Sequence, residues 1–161
     1  MRVIVAIDGS EKSSDLIEKV ARRRWTIDTE IKILTVVQPL VRGELQSPSW
    51  AEVAASALRK RSSLASADCA KHWHYLQQCL PQAITHFEVR QGDPREEIVK
   101  VASEWNASLI ILAAPLRASK SGPLLGSVSS GVMRYAGCSV ELIRTSKTAA
   151  RIETSAGART A

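Results

Sequence analysis

The sequence predicts one α/β domain: a parallel, doubly wound five-stranded sheet with helices on both faces. Three observations predict it. Apolar runs rich in β-branched residues alternate with stretches of helical periodicity, in the order βαβαβαβαβ. Most of these runs are continuously apolar, as strands buried on both faces must be. The 161 residues are 45% apolar but only 4% aromatic, so Ala, Val, Ile and Leu have to build the core. Such strand–helix–strand units cross over right-handedly and bind ligands beyond the carboxyl ends of the strands.

The elements follow in order. "RVIVAI" (2–7) is a buried strand ended by Asp8-Gly9-Ser10. Ser10 is suited to cap a helix carrying Leu16, Ile17, Val20 and Ala21 on one stripe. "IKILTVV" (31–37) is the second strand, and Gln38, Pro39 and Gly43 open a loop that reaches Pro48. From about Trp50 to Gln78 the pattern is helical, with Val53, Ala54, Ala57, Leu58, Leu64 and Ala65 recurring, until Pro81 stops it. "ITHFEVR" (84–90) alternates and belongs nearer a sheet edge. In "GDPREE" (92–97), Asp93 is the N-cap, Pro94 takes N1 and Glu96 the capping-box position. Ile98, Val101, Ala102 and Trp105 give that helix its buried stripe. "SLIILAA" (108–114) is the fourth strand. Ser127 is expected to cap the last helix, which carries Val128, Val132 and Tyr135 and closes at Gly137. "SVELIR" (139–144) is the fifth strand, and the small polar residues 146–161 are expected to be a disordered tail.

Several function classes lose ground on composition. The net charge of +6 favours acidic partners. Yet Arg22-Arg23-Arg24 and Arg59-Lys60-Arg61 fall at helix ends or on helix faces with no interleaved aromatics, so nucleic acid is not the expected partner. Cys69, Cys79 and Cys138 form no disulfide framework and fit a reducing, cytoplasmic setting. The opening apolar run is too short for a signal peptide, and no stretch has the length of a membrane span. On the long helix, Cys69 and His72 share a face that His74 and Cys79 do not join, so no metal site is expected. Trp25, Trp50, Trp73 and Trp105 sit on or beside helices, where core packing or a dimer contact is expected rather than ligand stacking.

The chemistry, if any, lies in "ILAAPLRASKSGPLLGSVSSGVM" (111–133): a strand, a long Ser/Gly/Lys loop and a helix start, the arrangement in which α/β proteins hold phosphate. Asp8 ends the first strand beside it. No His, second carboxylate or nucleophile stands at a motif position near Asp8, so no catalytic residue is assigned.

Three stretches together resemble the universal stress protein family: "VIVAIDGSEKSSDLIEKV", "VRQGDPREEIVKVASEWNASLIILAA" and "GSVSSGVMRYAGCSVELIR". The resemblance covers residues 1–145 as one domain and implies a Rossmann-like sheet in the order 3-2-1-4-5. It also implies a cytoplasmic stress-response role without catalysis, and a homodimer joined through the last strand, 139–144. In nucleotide-binding members a motif follows the fourth strand: Gly, two residues, Gly, nine residues, Gly, then Ser or Thr. Here the last pair is Gly126-Ser127, while Ala113 and Leu116 occupy the two earlier glycine positions. By the same resemblance Asp8 meets the ribose and adenine side, and the backbone of Val36 meets adenine. The amides of Ser127, Val128 and Ser129 face an anion. Ser139 and Ser108 replace the family's usual Pro and Asp.

A glycine in a phosphate loop permits positive φ and close approach of backbone to oxygen. Ala113 adds a methyl group alone. Leu116 in a left-handed conformation would cost about 1–2 kcal/mol, and Pro115 removes an N–H donor. Arg117, Ser119, Lys120 and Ser121 supply cations and hydroxyls in partial compensation. The leading expectation is weak or no nucleotide binding, with no cofactor or ATP at most. An ATP- or AMP-binding regulatory module that uses the 113–129 loop is the alternative, and a slow phosphohydrolase the second alternative.

Overall fold

The structure is a computed structural model; it describes residues 1–39, 48–114, 118–119, 122–123 and 126–145. The chain runs β1 (Arg2–Ile7), α1 (Glu11–Ala21), β2 (Glu30–Val37), α2 (Pro48–Cys79), β3 (Ile84–Gln91), α3 (Pro94–Glu104), β4 (Leu109–Ala114), β5 (Ala118–Ser119), β6 (Gly122–Pro123), α4 (Ser127–Tyr135) and β7 (Ser139–Arg144). The main sheet is ordered β3-β2-β1-β4-β7 with every neighbour parallel. This is the expected five-stranded order, β7 being the fifth strand of the sheet. The short antiparallel ribbon β5–β6, which pairs Ala118 with Pro123 and Ser119 with Gly122, was not foreseen within the loop.

Each sheet face carries its own core. On one, Val3, Val5, Ile31, Ile33 and Ile111 pack against Leu16, Ile17 and Val20 of α1 and Cys69 and Leu76 of α2. On the other, Ile4, Leu34, Ile110 and Leu112 pack against Ile98 and Val101 of α3 and Val132 of α4. Alternate strand residues feed alternate faces, so the continuous apolar runs serve both cores.

Two helix ends depart from expectation. Ser10 is the N-cap of α1, but its hydroxyl does not cap; it donates to Asp8 at 2.6 Å. Ser127 is not the cap of α4: Gly126 takes that position with an extended backbone, and Ser127 is the first helical residue. Small residues are acceptable at either position, which is why the sequence pattern misplaces the cap by one. Asp93 does cap α3, accepting from the Arg95 amide at 2.8 Å. At its other end α3 closes on Asn106, in the left-handed region at φ 50°. Ala107 N–H donates to Ala102 O at 2.8 Å and Asn106 N–H to Ser103 O at 3.1 Å, the paired bonds of a Schellman closure.

The 32-residue α2 is far longer than the strands it covers. At 1.5 Å per residue it spans about 48 Å, against about 26 Å for an eight-residue strand. Arg61 donates to Gln38 O and Gln91 to the Ser62 hydroxyl, so this part of α2 stands level with the carboxyl ends of β2 and β3. The residues before it reach past the sheet. No described side chain between 50 and 64 is buried, and Val53 and Leu64 are 55% and 62% exposed.

Candidate functional site

The site lies where the strand order reverses, between the carboxyl ends of β1 and β4. β1 leads into the Asp8-Gly9-Ser10 turn. Gly9 adopts φ +71°, which turns the next amide back toward Asp8. Asp8 Oδ1 then accepts from the Ser10 amide at 3.0 Å, the Ser10 hydroxyl at 2.6 Å and the Ser13 hydroxyl at 3.2 Å. Burial pushes the Asp8 carboxyl upward, but the Ser10 and Ser13 donors outweigh it and hold it below the usual carboxylate range. Asp8 is therefore an anion fixed by its own turn through Oδ1; among the described residues none donates to Oδ2.

A cavity of about 190 Å³ opens beside it. Asp8, Ser13 and Leu16 line one side; Leu34, Val36, Leu112 and Ala113 form the floor; Pro94, Ile98, Val128 and Ser129 close the other side. The structure thus brings Asp8, Val36, Ala113, Val128 and Ser129 together, as expected. Gly126 and Ser127 do not line it; they lie at the head of α4. Ser13, Leu34, Pro94, Ile98 and Leu112 join the site unforeseen. The apolar ones resemble ordinary core residues in sequence. The D-x-S-x-x-S spacing from Asp8 to Ser13 was the available signal for Ser13.

Ala113 sits inside β4, paired with Ile143, and takes no positive φ. Its methyl group replaces a glycine hydrogen without backbone strain. Pro115, Leu116, Arg117, Lys120 and Ser121 lie outside the described residues.

The chemistry open to this cleft is narrow. Among the described residues, Asp8 is the one titratable side chain that lines it. Cys69 is buried beneath the sheet and bonded to Thr35, and burial raises its thiol, as it raises that of Cys138. A neutral thiol away from the cleft is no nucleophile. Among the described residues no three His, Cys, Asp or Glu side chains gather as a metal site, and no helix is long and apolar enough to cross a membrane.

The chain is similar to known proteins along nearly all its length. A curated universal stress protein of Methanothermobacter thermautotrophicus is 44% identical over 57 residues, a match spanning 35% of this chain and 38% of that protein. The solved structure of universal stress protein UspA from Lactobacillus plantarum superposes with a TM-score of 0.70 at 21% identity, covering 89% of this chain and 97% of that one. A universal stress family protein of Arabidopsis thaliana, solved with AMP bound, superposes with a TM-score of 0.56 at 16% identity, covering 91% of this chain and 92% of that one. The family model for universal stress proteins matches residues 1–144, from the first strand to the last of the main sheet. This chain belongs to the universal stress protein family.

Proposed function

We propose that the protein is a non-enzymatic, cytoplasmic stress-response protein whose cleft weakly takes the nucleoside end of an adenine nucleotide. One observation carries the reading. The cavity beside Asp8 keeps the nucleoside side of the family site, with Val36 and apolar walls, while Ala113 and Leu116 stand at two loop-glycine positions. Its volume of about 190 Å³ is below the range of about 300–1,000 Å³ usual for drug-sized ligands. A base and part of a sugar fit that size better than a triphosphate. The AMP held by the Arabidopsis relative agrees with the ligand class. Apart from Asp8 the described lining holds no second carboxylate, histidine, cation or thiol, which favours binding without catalysis.

Titration calorimetry with adenosine, AMP and ATP, with and without magnesium, tests this. Adenosine should bind with Kd of about 0.1–1 mM, and ATP no more tightly than AMP. Asp8→Asn should weaken all three. Restoring both glycines, Ala113→Gly with Leu116→Gly, should strengthen ATP by about tenfold or more. Micromolar ATP binding by the natural chain, or hydrolysis abolished by Asp8→Asn, would overturn the reading.

The assembly proposed is a homodimer through β7. The two sheet edges differ in a way that supports it. β3 carries His86, Glu88 and Arg90, with Lys32–Glu88 and Arg90–Glu104 ion pairs along it. Such charges discourage strand pairing. β7 offers half-buried Val140, Leu142 and Ile143, and its one acid, Glu141, is held by Arg23.

A further inference from the structure

We propose that Arg95 is the phosphate-recognising residue of this chain, and that it supplies from α3 what the loop glycines supply in nucleotide-binding relatives. The inference rests on the nucleoside reading above and names how that site discriminates among adenine compounds. A cavity of about 190 Å³ leaves a phosphate at its rim. Pro94 and Ile98 of α3 and Val128 and Ser129 of α4 form that part of the wall. Arg95 follows Pro94 directly and lies across α4. A Cβ added at Gly131 would stand 2.7 Å from Arg95 Cδ and 2.9 Å from Cγ, so Gly131 is the slot that seats the arginine stem. Gly131 is one turn beyond Val128, on the same side of α4. The stem therefore runs just behind the cleft wall.

The guanidinium at its end is half exposed and grips Asp93 through Nε at 3.0 Å and Nη2 at 2.9 Å. Among the described residues two of its five donors find partners, which leaves three for a bidentate hold on a phosphate. No arginine or lysine is among the described residues that line the cavity itself, and Arg95 is the residue next to its lining Pro94. Asp93 holds the guanidinium at the start of α3; against a phosphate it competes. The arrangement explains why an arginine, rather than any helix former, stands in the first turn of α3, where positive charge opposes the dipole.

Calorimetry on the full chain with adenosine and AMP, one phosphate apart, tests it. The natural protein should bind AMP about five- to tenfold more tightly than adenosine. Arg95→Ala should abolish that preference and leave adenosine unchanged. Gly131→Ala keeps every charge but fills the slot, and should erase the preference in the same way. Asp93→Ser retains a capping side chain and removes the competitor, so AMP should tighten by a few-fold while adenosine does not. Adenosine binding in each variant also reports that the cleft is intact. An AMP preference that survives Arg95→Ala, or a variant that weakens both ligands equally, overturns the proposal. Adenosine bound with no AMP preference in the natural protein overturns this proposal alone; no adenosine binding overturns the nucleoside reading with it.

Discussion

Asn106 shows how much a single backbone angle carries. Its φ of 50° closes α3 through two bonds to Ala102 and Ser103. Asn106→Gly should keep or slightly raise stability. Asn106→Val should cost about 1–2 kcal/mol in chemical denaturation, because a β-branched residue is strained there. At the other end of α3, Arg95 bonded to Asp93 brings that carboxyl down to about 2. An acid whose folded pKa is depressed stabilises above its unfolded pKa and loses that contribution as pH falls through the folded one. The thermal midpoint should therefore drop between about pH 4 and pH 2, and Asp93→Ser should flatten that part of the curve. The Asp93 cap was legible in the sequence because Pro94 fixes the register behind it. Gly126 was not, because Gly and Ser are both accepted at a cap and only backbone angles separate them. The Asp8 turn was half legible: an acid at a strand end is visible, but its three donors depend on how Gly9 bends.

Among the elements, the strands were the easiest to read. β1, β2, β4 and β7 are apolar runs bounded by polar or small residues, and all fall within a residue of expectation. α2 was the hardest to interpret. Its apolar residues keep helical spacing from Trp50 to Leu76, but periodicity says which residues share a face, not whether anything covers it. The sheet is shorter than the helix, so the stripe outruns its partner. Two substitutions on this helix should separate the halves. Leu76, fully buried, should cost about 2–5 kcal/mol when replaced by Ala. Leu64→Ala, at 62% exposure, should change stability by no more than about 0.5 kcal/mol. Equal losses in urea unfolding would show that a partner covers Leu64 in solution.

For the whole molecule, alternating strand and helix predict a parallel, doubly wound sheet with its cleft where the strand order reverses, whereas the order 3-2-1-4-5 itself was implied only by the family resemblance. The cavity's depth was not readable in the sequence, since it depends on which core residues fail to meet. Assembly can be tested at this scale. Light scattering should give twice the chain mass, and Val140→Lys with Leu142→Lys should return a monomer at the same concentration. A monomer from the natural protein at high micromolar concentration would remove the edge-pairing proposal. The long α2 also makes the molecule uneven in time. Helical hydrogen bonds without tertiary cover open locally at little cost, whereas those over a packed core wait for larger unfolding. Deuterium should enter the amides before Arg61 within seconds and those around Cys69 and Leu76 orders of magnitude later. One continuous helix would then behave as two clocks, the faster one beyond the carboxyl ends of β2 and β3, at the end of the sheet on which the cleft opens.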